Sequence, residues 1–249
     1  MGSSAPSIFR GTYLRRVPGT LFVCARGDGG DGRGAFPAQT RGRCGMSVPS
    51  GYRVAVVVPV LNGGAVWRSA AAALRVQAPA PAQVLVIDSG STDESVLVAK
   101  EAGFSVTRID KRHFDHGGTR QQAARALSGM DVVVFLTQDA VLETPATIAS
   151  LVSAFDNPRV GAAYGRQLPR PGAGVLEAQA RLCNYPPHAE MHCFEDRRQL
   201  GIKAAFASNS FAAYRRDTLL EVGGFPNRLI LSEDMVVSAK MLMAGRIVA

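Results

Sequence analysis

The strongest constraint on this 249-residue chain is a series of valine-rich apolar runs, each ending in polar turn residues and each followed by a helical pattern. "YRVAVVVPV" from Tyr52, "QVLVIDSGS" from Gln83 and "MDVVVFLTQDA" from Met130 are too continuously apolar for strands with one wet face. Runs of this kind suit strands buried on both faces of a parallel sheet. "FSVTRID" and "VGAAYGR" supply two further strands. Helical stretches intervene: about 65–76, then "TDESVLVAKEAG" with a Thr/Asp start and a Gly stop, then the Gly-opened "GGTRQQAARALSG", then about 145–155. The alternation predicts an α/β fold with a mainly parallel central sheet flanked by helices and joined by right-handed crossovers.

Ligands of such sheets bind beyond the carboxyl ends of the strands. The polar residues standing there are Asn62, Asp88, Asp139 and Arg166. After Pro169 the pattern is less regular. "AAFASNSFAAYRR" reads as a strand, "RDTLLEVGGF" as a short helix, and "LSEDMVVSAKMLMAG" as an amphipathic helix capped by Ser232.

Composition narrows the class. With 47% hydrophobic and 19% charged residues, the chain has enough apolar material for a full core, which excludes a wholly disordered protein. Ten of the 26 glycines fall in residues 1–46, so residues 1–50 read as a disordered Gly/Arg-rich tail ahead of a domain at 51–249, with Met46 an alternative start. Seven Arg against two Asp in residues 1–46 carry +5 of the net +8 and leave a mildly basic body. That balance suits phosphate-bearing ligands or an anionic membrane surface, and it is no nucleic-acid signature. Four cysteines with no pairing framework predict a reduced, cytoplasmic protein, and no run of eighteen apolar residues predicts a membrane span. Cys183, His188, His192 and Cys193 lack both a CxxC pair and the HExxH order of a zinc site.

Each motif has a functional and a plain reading. Asp88 on its Ser/Gly turn is either a ligand for a base or ribose or a helix-starting residue. Asp139, at the end of a strand, is either a ligand for a hard cation or a turn former. In "SEDM", Glu233 and Asp234 either favour a helix N-terminus or include a general base. Gly117 and Gly118 either present backbone N–H groups, with Arg120, to phosphate or form a turn.

Taken in order, "VVVPVLNGG", "VLVIDSGSTD", "FLTQDA", "SNSFAAYRRDTLLEVGGF" and "SEDM" closely resemble the family 2 glycosyltransferases of GT-A type fold, over about residues 53–247. "FDHGGTR" followed by "LTQDA" is similar to the bacterial rhamnosyltransferase branch, which uses dTDP-L-rhamnose. The resemblance implies an inverting transferase that moves a sugar, L-rhamnose on this reading, onto a hydroxyl of a growing bacterial surface glycan or lipid-linked acceptor such as an O-antigen. It implies a nucleotide-sugar site at Pro59, Asn62, Asp88, Ser91, Arg120, Gln138, Arg166 and Gln167, with Asp88 facing the base. It implies Mg²⁺ or Mn²⁺ on Asp139, the last acid of a DxD motif whose first position is Thr137 here. Asp234 matches the catalytic base, with Glu233 beside it. Peripheral contact with the inner face of an anionic membrane belongs to the same expectation.

The chain stops at Ala249, fifteen residues after Asp234, where relatives continue with a strand and a His-containing segment, so a truncated domain is expected. The alternatives are a catalytically impaired fragment that binds nucleotide or glycan, and a sugar nucleotidyltransferase. The latter needs a Gly-rich basic loop after the first strand, which "PVLNGGAVWR" does not supply. The enzyme reading requires Asp88, Asp139 and Asp234 to converge on one rim.

Overall fold

The computed structural model describes residues 51–169, 172–229 and 231–249, together with the backbone of one short strand, β1 (Leu21–Cys24). The chain then runs β2 (Val54–Val60), α1 (Gly64–Arg75), β3 (Gln83–Asp88), α2 (Ser95–Glu101), β4 (Ser105–Arg108), α3 (His116–Ala126), β5 (Val132–Leu136), β6 (Ala140–Leu142) and α4 (Thr147–Val152). It continues with β7 (Val160–Tyr164), β8 (Arg166–Leu168), α5 (Val175–Asn184), α6 (Arg197–Leu200), β9 (Phe211–Arg215), α7 (Arg216–Glu221), α8 (Glu233–Met243) and β10 (Ile247–Val248). The tail expected to be disordered lies outside the described residues except at β1. There the backbone forms a strand, parallel to β6 and antiparallel to β8.

Seven strands make the central sheet in the order β10-β7-β9-β5-β2-β3-β4. The pairs β5–β2, β2–β3 and β3–β4 are parallel, as the βα alternation predicts. The expected strand over "AAFASNSFAAYRR" is shorter than its sequence pattern, because Gly201–Ala205 winds into a 3₁₀ turn and only Phe211–Arg215 is extended. Strand β9 enters between β5 and β7 and runs antiparallel to both.

The apolar runs are continuous because both faces of the sheet are covered. Val56, Val58, Val60, Val132 and Val134 pack under Trp67, Leu74, Val98 and Phe155 on one side. Ala55, Val57, Val133 and Phe135 pack under Ala124, Leu219, Val237 and Met241 on the other. Strand β9 divides its side chains likewise, Phe211 and Ala213 to the first layer, Ala212 and Tyr214 to the second. Arginines at its end and at the start of α7 pin it: Arg215 Nη2 donates to Phe155 O at 2.9 Å and Arg216 Nε to Ala124 O at 2.9 Å. Trp67, 1% exposed, also donates its indole N–H to Ser95 O at 3.0 Å. Truncating a buried aromatic of this kind costs about 3–5 kcal/mol.

Candidate functional site

The carboxyl ends of β5, β2 and β3 lie side by side, and the loops that follow them are stitched together by side chains. Gln138 acts as a substitute strand: its Oε1 accepts from Leu61 N–H at 2.8 Å and its Nε2 donates to Leu61 O at 3.3 Å. Asn62, in the left-handed region at φ 46°, donates its N–H to Ser91 Oγ at 2.9 Å and accepts from Thr92 N–H at 2.8 Å. Gly63 and Gly64 donate to Ser95 Oγ and Asp93 Oδ2. A Cβ on Gly63 would meet Trp67 Cβ at 2.5 Å, so that position admits only glycine without rearrangement.

Asp88 is 1% exposed and accepts from the N–H groups of Ser91 (3.1 Å) and Gly90 (3.4 Å) in its own turn, with Arg108 Nε 3.6 Å away. It does not start the next helix. Asp93 Oδ1 accepts from Ser95 N–H at 2.9 Å instead.

Between these loops and α3 lies a cavity of about 350 Å³, lined among others by Pro59, Leu61, Lys111, Phe114, Arg120 and Gln138. Its walls are largely apolar, while Lys111 brings positive charge to them. Thr137 Oγ1 and Arg120 Nε are buried there without a hydrogen-bond partner. Lys111 escaped the sequence reading, and Phe114 was given no role although it opens "FDHGGTR", because both follow β4 in a stretch with no periodicity to flag them.

The opening of α3 bears on the two readings left open for the glycine pair. Its N-cap is Asp115, whose Oδ2 accepts from Gly118 N–H at 2.7 Å, so that donor is already used. Gly117 is there for proximity: a Cβ would sit 1.9 Å from Pro226 O. Arg120 is 4% exposed and donates Nη1 to Glu233 Oε1 at 2.7 Å and to His116 O at 3.1 Å. Its charge is therefore neutralised by protein while its edge lines the cavity.

At the start of α8, Ser232 takes φ 69° and makes no side-chain cap, contrary to expectation. The two acids after it divide their tasks. Glu233, 6% exposed, is held by Arg120 and by Asn209 Nδ2 at 3.2 Å. Asp234 accepts from Met235 N–H at 2.8 Å and from Asn209 N–H at 3.0 Å. Burial holds its carboxyl above the ordinary aspartate range, with the Glu233 charge adding to the rise and the Asn209 N–H opposing it.

Asp234 lies in the wall of a second cavity, about 430 Å³, together with Gln167, Arg181, Tyr185, Ser208 and Leu231. Gln167 Nε2 donates to Ser208 Oγ at 2.9 Å, and Arg181 donates to Gln167 Oε1. Arg166 is turned aside, its Nε donating to Tyr185 O at 3.2 Å. Burial pushes the Tyr185 hydroxyl up to about 12.

The convergence of the three acids expected from the sequence is not found: Asp234 lines the second cavity, while Asp88 ends β3 and Asp139 stands in the turn after β5, so a catalytic role rests on Asp234 and on the family, not on a shared rim. Asp139 sits in the turn after β5, where Thr137 N–H donates to Ser210 O at 3.3 Å, one residue from the Asn209 that holds Asp234. Asp88 ends β3, two strands away from β5. Among the described residues no group of three or more His, Cys, Asp or Glu side chains is placed to hold a metal ion.

The family model described as Glycosyl transferase family 2 matches residues 55–223, a span that takes in β2 through α7. The chain belongs to this family. The chain is 42% identical over 198 residues to the O-antigen chain rhamnosyltransferase RfbN of Salmonella typhimurium (strain LT2), covering 79% of this chain and 63% of that protein. It is 41% identical over 191 residues to the O-antigen chain rhamnosyltransferase WbaN of Salmonella anatum, covering 76% and 61%. The chain thus spans about three fifths of the length of these curated relatives. Among solved structures it is similar to the mannosyltransferase PcManGT from Pyrobaculum calidifontis in complex with GDP-Man and Mn²⁺, with a TM-score of 0.59, 22% identity, and coverage of 79% of this chain and 54% of that one. It is also similar to S. aureus TarS 1–349, with a TM-score of 0.58, 18% identity, and coverage of 79% and 57%. Likeness at this level of identity establishes the fold alone, an α/β domain of GT-A type.

Proposed function

We propose that this domain is an inverting rhamnosyltransferase, moving L-rhamnose from dTDP-L-rhamnose onto a hydroxyl of an O-antigen or lipid-linked saccharide, with Asp234 as general base. One observation carries the reading most directly. Asp234 is a largely buried carboxylate, raised in pKa, fixed by two backbone N–H groups and set in a cavity wall. A carboxylate oxygen has two lone pairs, so one N–H donor per oxygen leaves capacity to accept a hydroxyl proton. The relatives' names support the sugar and the acceptor class.

In this reading the 350 Å³ cavity takes the nucleotide end of the donor. Pro59 and Phe114 offer apolar surface to a flat base, Asp88, Asn62 and Ser91 shape the turn beside it, and Lys111 faces negative charge. Arg120 Nε and Thr137 Oγ1 are the two buried groups a ligand would satisfy. Gln167 stands on the acceptor side with Asp234, while Arg166 supports that wall from behind through Tyr185 O.

The donor set admits a hard cation only in part: Asp139 contributes one carboxylate, and diphosphate oxygens and water would complete the shell of Mg²⁺ or Mn²⁺. Such an ion supplies charge neutralisation at the leaving diphosphate. The chain's own residues do the rest, Arg120 and Glu233 fixing α3 against α8, Gln138 fixing the donor loop, and Asp234 taking the acceptor proton.

No helix among the described residues is long and apolar enough to cross a membrane. Peripheral contact with an anionic membrane is supported by Val175 and Leu176 on α5, which are 82% and 83% exposed. The reading is tested by incubating the protein with dTDP-L-rhamnose, Mn²⁺ and O-antigen oligosaccharide. Rhamnosylated product of inverted anomeric configuration is expected, and retention of configuration would overturn it.

A further inference from the structure

We infer that Asn209 is the positioning residue of this site: its backbone aims the Asp234 carboxylate, and its side chain ties that aim to the buried Arg120–Glu233 pair. The inference rests on the reading of Asp234 as the base.

Three hydrogen bonds leave this one residue, which is 3% exposed. Its N–H donates to Asp234 Oδ2 at 3.0 Å, its Nδ2 donates to Glu233 Oε1 at 3.2 Å, and its Oδ1 accepts from Tyr214 O–H at 2.9 Å. The last two anchors lie on α8 and β9, so the Asn209 peptide is fixed between two elements of the core. Ser208, the residue before, is held by Gln167 Nε2 and accepts from Ser210 N–H at 3.4 Å. The N–H that meets Asp234 therefore has little freedom to turn.

A short amide meets these demands. It must donate to a carboxylate and accept from a phenol at the same time. An aspartate would set a second negative charge against Glu233, and a leucine would strand the buried Tyr214 hydroxyl. The link also joins the two cavities, because Arg120 lines one and Asp234 the other.

The groups facing Asp234 are Glu233 on its own helix, Arg120 from α3, Glu177 and Arg181 from α5, Tyr185, and Tyr214 from β9. Releasing Asn209 loosens the N–H bond to Asp234 and removes a donor from Glu233. The first change disfavours the Asp234 carboxylate, so its titration should move to higher pH.

The test is a pH titration of ¹³C-labelled aspartate carboxyls by NMR in wild type, Asn209→Ala and Tyr214→Phe, with Asp234→Asn identifying the resonance. Asp234 is expected to titrate higher by roughly 0.5 in pH or more in Asn209→Ala, and in the same direction by less in Tyr214→Phe. With dTDP-L-rhamnose and acceptor, kcat should fall roughly 10-fold or more while the donor KM changes little. An unmoved Asp234 titration in a folded Asn209→Ala protein overturns the inference. Should that variant not fold, an unmoved titration in Tyr214→Phe does so. Full turnover by Asp234→Asn would instead overturn the reading of the base itself.

Discussion

Arg120 on α3 and Glu233 in the first turn of α8 form an ion pair at 2.7 Å across 113 residues of chain, and both side chains are less than a tenth exposed. Removing one partner of such a pair leaves an uncompensated buried charge, which costs about 3–5 kcal/mol. Glu233→Gln should therefore lower stability by that order, measured by urea denaturation. Arg120→Met with Glu233→Met should recover much of the loss, because an apolar replacement leaves no charge behind. Equal stability of Glu233→Gln and wild type would show that the pair holds nothing together.

Asp234→Asn keeps the shape of the side chain and removes its capacity to take a proton. Transfer should fall about 10²–10⁴-fold, with dTDP-L-rhamnose affinity by calorimetry within a few-fold of wild type.

The pH dependence follows from the raised Asp234 carboxyl. The base form is lost as pH falls through the folded value, so the acidic limb of kcat/KM should lie above the ordinary aspartate range and vanish in Asp234→Asn. Stability runs the other way. A group whose native state holds its proton more tightly than the unfolded chain contributes fully below the unfolded value, near 3.8, and loses that contribution as pH rises through the folded value. Paired rate and denaturation profiles over the same pH range check both signs.

Gly117 lies against the backbone of Pro226, where a Cβ would come within 1.9 Å of the carbonyl oxygen. Gly117→Ala should push α3 from the 225–227 segment and spoil the approach of Arg120 to Glu233. A loss of about 1–3 kcal/mol is expected from overpacking alone, with reduced turnover. A thermal melt beside Gly64→Ala separates the two kinds of glycine: Gly64 has open space around its Cβ position but a φ of +55°, so only backbone strain is added there.

Asp139→Ala tests the metal reading. Donor affinity should drop about 10-fold or more in Mn²⁺ and become insensitive to chelator. Calorimetry with dTDP-L-rhamnose, with and without Mn²⁺, measures this. Unchanged metal-dependent affinity would remove Asp139 from the donor site.

The parallel core was legible because a strand covered on both faces has to be apolar at every position. Val56, Val57, Val133 and Val134 satisfy that requirement without reference to any other part of the chain. The turns at Asn62, Asp88 and Asp139 were legible for the complementary reason: a short polar side chain beside small residues marks where a strand stops. Periodicity, however, reports that a residue is buried and not what it is buried against. Antiparallel entry of β9 between β5 and β7 leaves no local mark, and it is this entry that brings Asn209 to the start of α8. The glycine pair before Arg120 stayed open between an anion cradle and a turn, because proximity to Pro226 and a cap from Asp115 cannot be read from the pair itself. Chain-local chemistry thus determined which strands form and where ligands can approach. Packing alone decided that Glu233 serves as an anchor while its neighbour Asp234 lies in the cavity wall, since a carboxylate's role depends on the donors that distant segments carry to it.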